Sequence, residues 1–541
     1  MARIKSTWCS HHNETLVPHS PAHRSTHQPM KAHTVFLSLL LARTTLIIGA
    51  EPTNPAEAEY YQITTFPTPA NTALEVSAAE LLPDGRLVLG TRRGELWMVS
   101  NAQNASVTGV WNKDTLTFEP ASGGDSSKQI KYQRFAEGQH EVMGLVWKDG
   151  WLYVTNRYEL LRMKDAAGRG TADTFETVAT PWGVSGDYHE YTFGSRFDKN
   201  GDLWFVSCLT GSFSSKTPFR GWAIRIKPDG TVVPTCSGVR SPGGIGFDAD
   251  GEVYYTDNQG PWHGSCTLQH LVPNSFQGHP GGNEWYALAP NMGPRPVDPE
   301  DKSRMVVERE RIKELVPPAV YMVYGPGKIG NSSTAIVCDL SEGKFGPFKK
   351  QIFIPDQSHS NISRVYLETV NGVKQGVVFP FLKGLTSGPI GARMGSDGKF
   401  FVGGSDRGWG AKGGQPFGFE RVEWTGKLPF EIHEIHAQHD GFELTFTEPV
   451  DPSTASNPES YSLRAFTYIY QAKYGSPEVD DVLPKIQTVH VAKDGKSVRL
   501  TVDALTKGHI HEIHCDGVKS ASGKPVLHPL GYYTLNEIPA K

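Results

Sequence analysis

The chain has 541 residues, which is more than one hydrophobic core usually holds, so at least two folded units are expected. Its 57 Gly and 38 Pro, with 10% aromatic residues, favour short strands joined by tight turns. The net charge of -4 offers no basic surface for nucleic acid.

The first fifty residues differ in composition from the rest. Met30 and Lys31 precede the apolar run VFLSLLL, and a second apolar stretch ends at Ala50. This pattern predicts a signal peptide that starts near Met30 and is cleaved near Ala50, and hence export to the periplasm or the exterior. A poorly packed tail is the alternative, because Arg43 interrupts the apolar run. No other segment is apolar enough to cross a bilayer, so no transmembrane segment is expected in the mature chain.

After a linker at residues 51–74, one local pattern recurs: an Asp-Gly or Asn-Gly turn, an aromatic-rich alternating strand, a polar turn and another strand. It occurs as LPDGRLVLGTRRGELWMVS, WKDGWLYVTNRYELLRMKD, DKNGDLWFVSCLTGS, DADGEVYYTDNQGPW and GSDGKFFVGGSDRGWG. Asp-Gly supplies the positive φ angles of a hairpin turn. With a further unit near residue 348, the spacing predicts an all-β, six-bladed β-propeller over residues 75–425.

The segment of about residues 273–318 is rich in Pro, Gly and charge, and it is predicted to be an insertion on one face of the propeller. Residues 426–541 alternate as a second β unit, predicted to be a β-sandwich that resembles bacterial immunoglobulin-like modules. Its histidines fall in two groups, which strand alternation explains better than a metal site does. They are His433, His436, His439, His509, His511 and His514.

The stretch TDNQGPWHG follows one of the predicted strands. In a propeller, loops at the ends of inner strands converge on the axis, so the carbonyl groups of Gly260 and Pro261 are candidate ligands for calcium, which accepts backbone oxygens. An ordinary Gly-Pro turn is the alternative.

The surrounding residues resemble the soluble quinoprotein glucose dehydrogenase and sorbosone dehydrogenase superfamily. Its Arg-Asn-Pro-x-Gly element corresponds to Arg240, Pro242 and Gly244, with Ser241 in place of Asn. Its Gln-Gly-Pro element corresponds to Gln259, Gly260 and Pro261, and a following turn to Gly278 and Pro280. The resemblance covers most of residues 75–425, but only Arg240 to Pro261 is specific.

The resemblance implies an exported oxidoreductase that oxidises a sugar or polyol with pyrroloquinoline quinone (PQQ) held by calcium. The catalytic base would be His189, with His140 as the rival, because a neutral imidazole can accept the hydroxyl proton. The implied cofactor contacts are Arg240, Gln259, Arg364 and Arg393, and the substrate would be lined by Asp257, Trp262 and Trp409. Electrons would leave to a separate cytochrome or another acceptor.

Two departures weaken the cofactor assignment. The family's aspartate after the histidine strand and its lysine against the quinone have no clear counterparts; Asp187 and Glu190 are the candidates to replace the aspartate. Two alternatives follow: a calcium-dependent lactonase-like hydrolase with Asp257 and Asn258 near the metal, or a propeller that binds a glycan or protein without catalysis. Cys208, Cys236 and Cys266 allow a disulfide in an exported protein, or remain buried thiols.

Overall fold

The computed structural model describes residues 55–408 and 410–541. The predicted leader and Trp409 lie outside this part of the chain. The described chain begins with a short helix, α1 (Pro55–Ala58), and a strand, β1 (Tyr61–Thr65). Across the described residues, no helix is both long enough and apolar enough to span a membrane.

The first complete sheet, blade 1, contains four antiparallel strands, with a small separate hairpin inserted before the last. The strands of the blade are β2 (Val76–Leu81), β3 (Leu87–Thr91), β4 (Leu96–Ser100) and β7 (Lys131–Ala136), and those of the hairpin are β5 (Gly109–Asn112) and β6 (Thr117–Pro120). A single turn of 3₁₀ helix at Ser126–Lys128 precedes β7.

Blades 2, 3 and 4 repeat this antiparallel meander. Blade 2 comprises β8 (Gly144–Lys148), β9 (Trp151–Thr155), β10 (Leu160–Lys164) and β11 (Thr174–Ala179). Blade 3 comprises β12 (Thr192–Phe197), β13 (Leu203–Ser207), β14 (Trp222–Ile226) and β15 (Val232–Ser237). Blade 4 comprises β16 (Pro242–Phe247), β17 (Val253–Asp257), β18 (Cys266–His270) and β20 (Val320–Met322). The short strand β19 (Ser275–Phe276) lies between β18 and β20 in the chain and pairs with β15 of blade 3.

Between β19 and β20 the chain forms short helices instead of strands. They are two 3₁₀ helices, Pro280–Leu288 and Pro290–Met292, and α2 (Met305–Arg311). The insertion predicted at about residues 273–318 falls on this part of the chain.

Blade 5 comprises β21 (Val337–Cys338), β22 (Ile352–Asp356), β23 (Asn361–Val370) and β24 (Val373–Lys383). Blade 6 comprises β25 (Pro389–Met394), β26 (Phe400–Ser405) and β27 (Phe417–Trp424), and β1 supplies its outer strand. Because a strand from the start of the described chain completes the last blade, the ring is closed by hydrogen bonds.

The inner strands β2, β8, β12, β16, β21 and β25 contact one another in that order, and β25 contacts β2 again. The described chain therefore contains the six-bladed propeller that the turn spacing predicts. The glycines of the five predicted turns, Gly85, Gly150, Gly201, Gly251 and Gly398, all have φ between 81° and 84°. This conformation is the one that Gly adopts without steric cost, which explains why the turn pattern marks the blades.

A two-sheet unit follows the ring and confirms the predicted β-sandwich; its immunoglobulin-like character stays a prediction. Its strands are β28 (Ile432–Gln438), β29 (Gly441–Phe446), β30 (Ser462–Tyr468), β31 (Glu478–Val482), β32 (Ile486–Val491), β33 (Ser497–Val502), β34 (His509–His514) and β35 (Leu530–Leu535), with α3 (Pro452–Ala455) and a 3₁₀ turn at Pro458–Ser460.

One sheet has the order β28-β29-β33-β32, and the other, β35-β34-β30-β31, continues blade 5 because β35 pairs with β24. Apolar side chains from both sheets, including Phe442, Leu500 and Tyr533, form one buried core. The second unit is thus joined to the propeller through a continuous sheet.

Candidate functional site

The start of each inner strand lies beside the end of the second strand of its blade, as the pairs Thr192 with Ser207 and Pro242 with Asp257 show. The loops that precede the inner strands and those that follow the second strands therefore share one side of the ring. We call this side the loop face. It carries His140, His189, Arg240 and the Gln259 to Pro261 turn.

His189 lies on the loop face with a carboxylate partner. Its Nδ1 atom is 3.5 Å from Oδ1 of Asp187, and its side chain is 30% exposed. The same Asp187 oxygen accepts hydrogen bonds from the backbone N–H groups of His189 and Gly211 at 2.8 and 2.9 Å. Burial acts to raise the pKa of Asp187, but these hydrogen bonds lower it below its usual value, so the carboxylate is charged at neutral pH.

Asp187, and not Glu190, is thus placed to orient the imidazole. Glu190 is buried and accepts hydrogen bonds from the backbone and hydroxyl of Ser185 and from the hydroxyl of Thr210. The rival His140 is exposed, and its ring centre lies 5.7 Å from that of Tyr158.

A network that sequence reasoning missed surrounds His189. The ring of Tyr188, 43% exposed, lies edge-on to the imidazole at 5.4 Å. Arg92 donates to the hydroxyl groups of Tyr188 and Tyr191 at 3.1 and 2.5 Å and to the carbonyl of Arg407 at 2.7 Å. Burial acts to raise the pKa of Tyr188, yet the hydrogen bonds of Tyr191 and Arg92 and the charges of Arg92 and Arg407 lower it.

The residues around His189 come from three blades: Arg92 from blade 1, Tyr188 and Tyr191 from blade 3, and Arg407 from blade 6. Arg407 Nη2 lies 3.3 Å from Glu75 and 3.4 Å from Glu141, and Arg157 lies 2.9 Å from Glu141. The contacts join residues far apart in sequence, so no local motif could have indicated them.

The predicted cofactor contacts in blade 4 are engaged by the protein itself. Arg240 is 3% exposed. Its guanidinium donates to the carbonyls of Ser212 at 3.2 Å, Asn258 at 3.1 Å and Gln259 at 2.7 Å. Asp257 is fully buried and accepts the backbone N–H groups of Arg240 and Ser241, so it fixes this turn and does not line an open surface.

A segment of the second unit covers the same turn. We call residues 469–477, between β30 and β31, the strap. Gly475 N–H donates to the carbonyl of Gly260 at 3.0 Å, and Trp262 N–H donates to the carbonyl of Gln471 at 2.7 Å. The ring centre of Tyr474 lies 5.1 Å from Arg240 Cζ, and Pro261 forms an isolated bridge with Tyr474.

As arranged here, these residues do not fit PQQ and calcium. Nε and Nη1 of Arg240 already donate to carbonyl groups, so a bidentate pairing with the quinone carboxylates would have to use Nη2 of a buried guanidinium. A calcium ligand needs an accessible carbonyl, but that of Gly260 accepts N–H groups from both Gly475 and His263. In the described residues, no group of three or more His, Cys, Asp and Glu side chains is arranged to hold a metal ion.

The structure does not bring the other two predicted cofactor arginines to this turn. Arg364 is 1% exposed between the rings of Phe348 and Phe379, and it donates to the carbonyls of Ile432 and His433, so it joins blade 5 to the second unit. Arg393 lies in the wall of the central channel. Arg364 lies in β23 of blade 5 and Arg393 in β25 of blade 6, and the sequence did not reveal that these strands place both guanidinium groups away from the turn of blade 4.

Two further predicted features have a structural role in the described chain. Trp262 packs edge-on against Tyr470 of the strap at 5.2 Å. Cys208, Cys236 and Cys266 are buried free thiols, the alternative to the disulfide considered from the sequence.

Comparison with known proteins identifies solved structures that are similar to this chain. They include the PQQ-bound form of aldose sugar dehydrogenase from Streptomyces coelicolor, with 14% identity, 67% of this chain and 98% of that chain covered, and a TM-score of 0.45. They also include the holo form of the pyranose dehydrogenase PQQ domain from Coprinopsis cinerea, with 11% identity, 67% and 97% covered, and a TM-score of 0.43. A calcium structure of the Trichoderma reesei carbohydrate-active enzymes family AA12 has 11% identity, 68% and 96% covered, and a TM-score of 0.42.

A search of curated proteins finds no match to the chain. A family model described as a domain of unknown function, DUF7133, matches residues 90–367, from blade 1 to blade 5. Because that match covers more than half of the sequence, the chain belongs to the DUF7133 family.

Proposed function

We propose that the chain acts on a sugar or polyol at the loop face, as an oxidoreductase of the sugar dehydrogenase kind in which His189 accepts the hydroxyl proton. The observation that supports this proposal is the pairing of a partly exposed imidazole with the anchored carboxylate of Asp187. Oxidation of an alcohol by hydride loss requires a base for the hydroxyl proton, and an imidazole serves that role near neutral pH.

Asp187 has a positioning role. A carboxylate near Nδ1 favours the tautomer with hydrogen on Nδ1, in which Nε2 is the basic nitrogen. Its negative charge then stabilises the imidazolium that forms, as in other imidazole and carboxylate pairs. Because the loops of blade 3 hold Asp187 through two backbone N–H groups, the pair is in place before substrate binds.

Aromatic rings on the loop face support a carbohydrate as substrate. Tyr158, Tyr188, Phe213 and Tyr474 are all exposed, although large apolar rings tend to be buried in soluble proteins. Exposed rings of this kind mark interaction surfaces, and their flat apolar faces match the C–H face of a sugar ring.

The hydride must pass to an oxidant, and PQQ with calcium is the one that the sequence predicts. We assign no step to it, because Arg240 and Gly260 are engaged in the closed arrangement of the strap. Export and a separate cytochrome as electron acceptor are parts of the same proposal.

The test is reduction of an artificial electron-acceptor dye by the purified protein, supplied with PQQ, calcium and a panel of aldoses and polyols. We expect sugar-dependent reduction that falls at least about 100-fold in His189→Gln, the low end of the effect of removing a general base. His140→Gln, which changes the other histidine on this face, is the matched control and should stay within about twofold.

A second candidate function is sugar binding without redox chemistry, favoured by the exposed rings together with the engaged state of Arg240. Calorimetric titration with the same sugars distinguishes the two candidates. Saturable sugar binding without dye reduction under any of these conditions would establish the binding function. Dye reduction that is unchanged in His189→Gln would contradict the proposed role of this residue.

A further inference from the structure

We propose that the central channel of the propeller binds a small oxyanion, a carboxylate or a phosphate group, between Arg196 and Arg393. This site is separate from His189 and does not depend on the function proposed above. It lies inside the ring, where the six inner strands line a cavity of about 450 Å³ that opens to solvent beside the exposed Arg196.

The two arginines face this cavity from opposite sides of the ring. Arg196 belongs to β12 of blade 3, and Arg393 belongs to β25 of blade 6, three blades away in either direction. Each is the fifth residue of a six-residue inner strand, so both lie at the same level of the channel. Glu80 and Gly246 are the fifth residues of β2 and β16.

The charge at this level is unbalanced. Arg393 Nε lies 3.2 Å from Oε2 of Glu80, and their side chains are 17% and 4% exposed. Neither of these two atoms makes a hydrogen bond, so the pair is held by charge alone. No ion pair within the described residues joins Arg196 to an acidic side chain, which leaves one positive charge at this level without a partner.

The other acidic residue in the cavity wall does not supply that partner. Asp248 lines the channel, but its Oδ2 atom accepts the hydroxyl of Tyr254 at 3.2 Å and lies 3.6 Å from Nζ of Lys374. Burial lowers the pKa of Arg393 to about 10, Glu80 opposes this change, and the charge of Arg196 adds to it. Two guanidinium groups therefore share one cavity and influence each other.

The channel also has room for a ligand. Glycine backbone forms part of its wall at Gly194, Gly246 and Gly391, where a Cβ would collide with the neighbouring blade and would not enter the channel. A volume of about 450 Å³ lies within the range of about 300–1,000 Å³ that small-molecule sites occupy. Guanidinium groups bind carboxylate and phosphate oxygens through paired N–H donors, and an anion between two of them balances the excess charge.

Isothermal titration calorimetry of the full chain tests this site with three probes: sodium gluconate, inorganic phosphate and glucose. Gluconate and phosphate supply the two sources of the oxyanion, and glucose is a neutral compound of gluconate size. We expect saturable binding of at least one anion and at least tenfold weaker anion binding in Arg196→Gln, whereas any binding of glucose at the loop face should not change in that variant. Arg169→Gln, on an exposed turn outside the channel, is the matched control and should bind as the wild type does.

Arg393 requires a paired substitution, because removing it alone leaves Glu80 buried without a countercharge. The double variant Glu80→Gln/Arg393→Gln removes both charges and should also weaken anion binding. Lack of anion binding by the wild type overturns the proposal, as does undiminished anion binding in Arg196→Gln or an equal loss of glucose binding in that variant. His189→Gln should retain anion binding, so failure of this proposal and failure of the proposed function are distinguishable.

Discussion

Tyr188 connects the base of the candidate site to the charges around it. Its hydroxyl accepts a hydrogen bond from Arg92, and its ring lies against the imidazole of His189. Stabilisation of the phenolate by Arg92 and Arg407 lowers its pKa from the ordinary value near 10. A substrate hydroxyl at His189 would therefore lie beside a second group able to exchange a proton.

We predict that Tyr188 ionises at lower pH than an ordinary tyrosine. The measurement is a pH titration of tyrosinate absorbance, in which the wild type should show an early step that Tyr188→Phe lacks. Arg407→Gln, which removes one of the neighbouring charges, should move this step to higher pH. Tyr158→Phe changes another exposed ring of the same face and should retain the step. An early step that persists in Tyr188→Phe would assign the low pKa to a different residue.

Part of this site could be predicted at the level of single residues. His189 and Asp187 are two positions apart, so one loop places both, and the sequence marks that loop because it precedes an inner strand. Tyr188 also lies in the loop, but its role depends on Arg92 and Arg407 from two other blades. Their approach depends on the closure of the ring, which no local pattern encodes.

At the level of elements, the strap decides whether the blade 4 turn is accessible. It is anchored by Tyr470, whose hydroxyl donates to the carbonyl of Gly278, and by Ala472, whose N–H donates to Asp301. The Gly260 turn fits closely beneath it: a Cβ on Gly260 would lie 1.9 Å from Arg240 Cζ. The glycine that suggested exposed carbonyls in the sequence is therefore required for packing against the guanidinium.

We predict that shortening the strap increases the affinity of the protein for PQQ in the presence of calcium. A ligand that binds only the open form has its apparent affinity reduced by the fraction of molecules that are open. Replacing residues 471–476 with two glycines removes the Gly475 N–H from the carbonyl of Gly260 and the ring of Tyr474 from Arg240. We expect at least tenfold tighter PQQ binding than in the wild type, measured by absorbance titration.

The control for the strap is a deletion that leaves blade 4 untouched, such as removal of residues 113–116 from the turn between β5 and β6, which should not change PQQ binding. Equal affinity of the wild type and the strap variant would show that the strap does not restrict the turn. Absence of PQQ binding in both would exclude PQQ as the oxidant and leave sugar binding as the supported function.

At the level of the whole molecule, the sequence predicts the blades but not the contacts between the two β units. In five blades, the Asp-Gly or Asn-Gly turn and the two strands that it joins lie within about twenty consecutive residues. Their pattern is therefore visible in the sequence. The pairing of β35 with β24 and the contact of Gly475 with Gly260 join residues more than 150 positions apart. The predicted boundary near residue 425 therefore marks a change of fold in a chain whose two units share one sheet.

A buried histidine links α1 to the second unit. His528 Nδ1 lies 2.6 Å from Glu431, and Nε2 lies 3.1 Å from Glu57, whose other oxygen accepts the backbone N–H of Lys383 at the end of β24. Burial acts to lower the pKa of His528, but the two carboxylates dominate and raise it to about 9. The imidazolium thus connects the second unit to α1 and, through Glu57, to the end of β24.

We predict that this link weakens the fold as the pH rises. The folded pKa of His528 lies above the unfolded value near 6.5, so its contribution is complete below about pH 6.5 and is lost as the pH passes about 9. The shift corresponds to at most about 3 kcal/mol of the free energy of unfolding.

Urea unfolding at intervals from pH 6 to pH 10 should show this loss of stability in the wild type. The variant His528→Gln should be less stable than the wild type at pH 6 but should lose less stability as the pH rises. His490→Gln, which removes an exposed histidine of β32, is the control for a general effect of alkaline pH. If His528→Gln and the wild type lose stability in parallel, the imidazolium of His528 does not stabilise this junction.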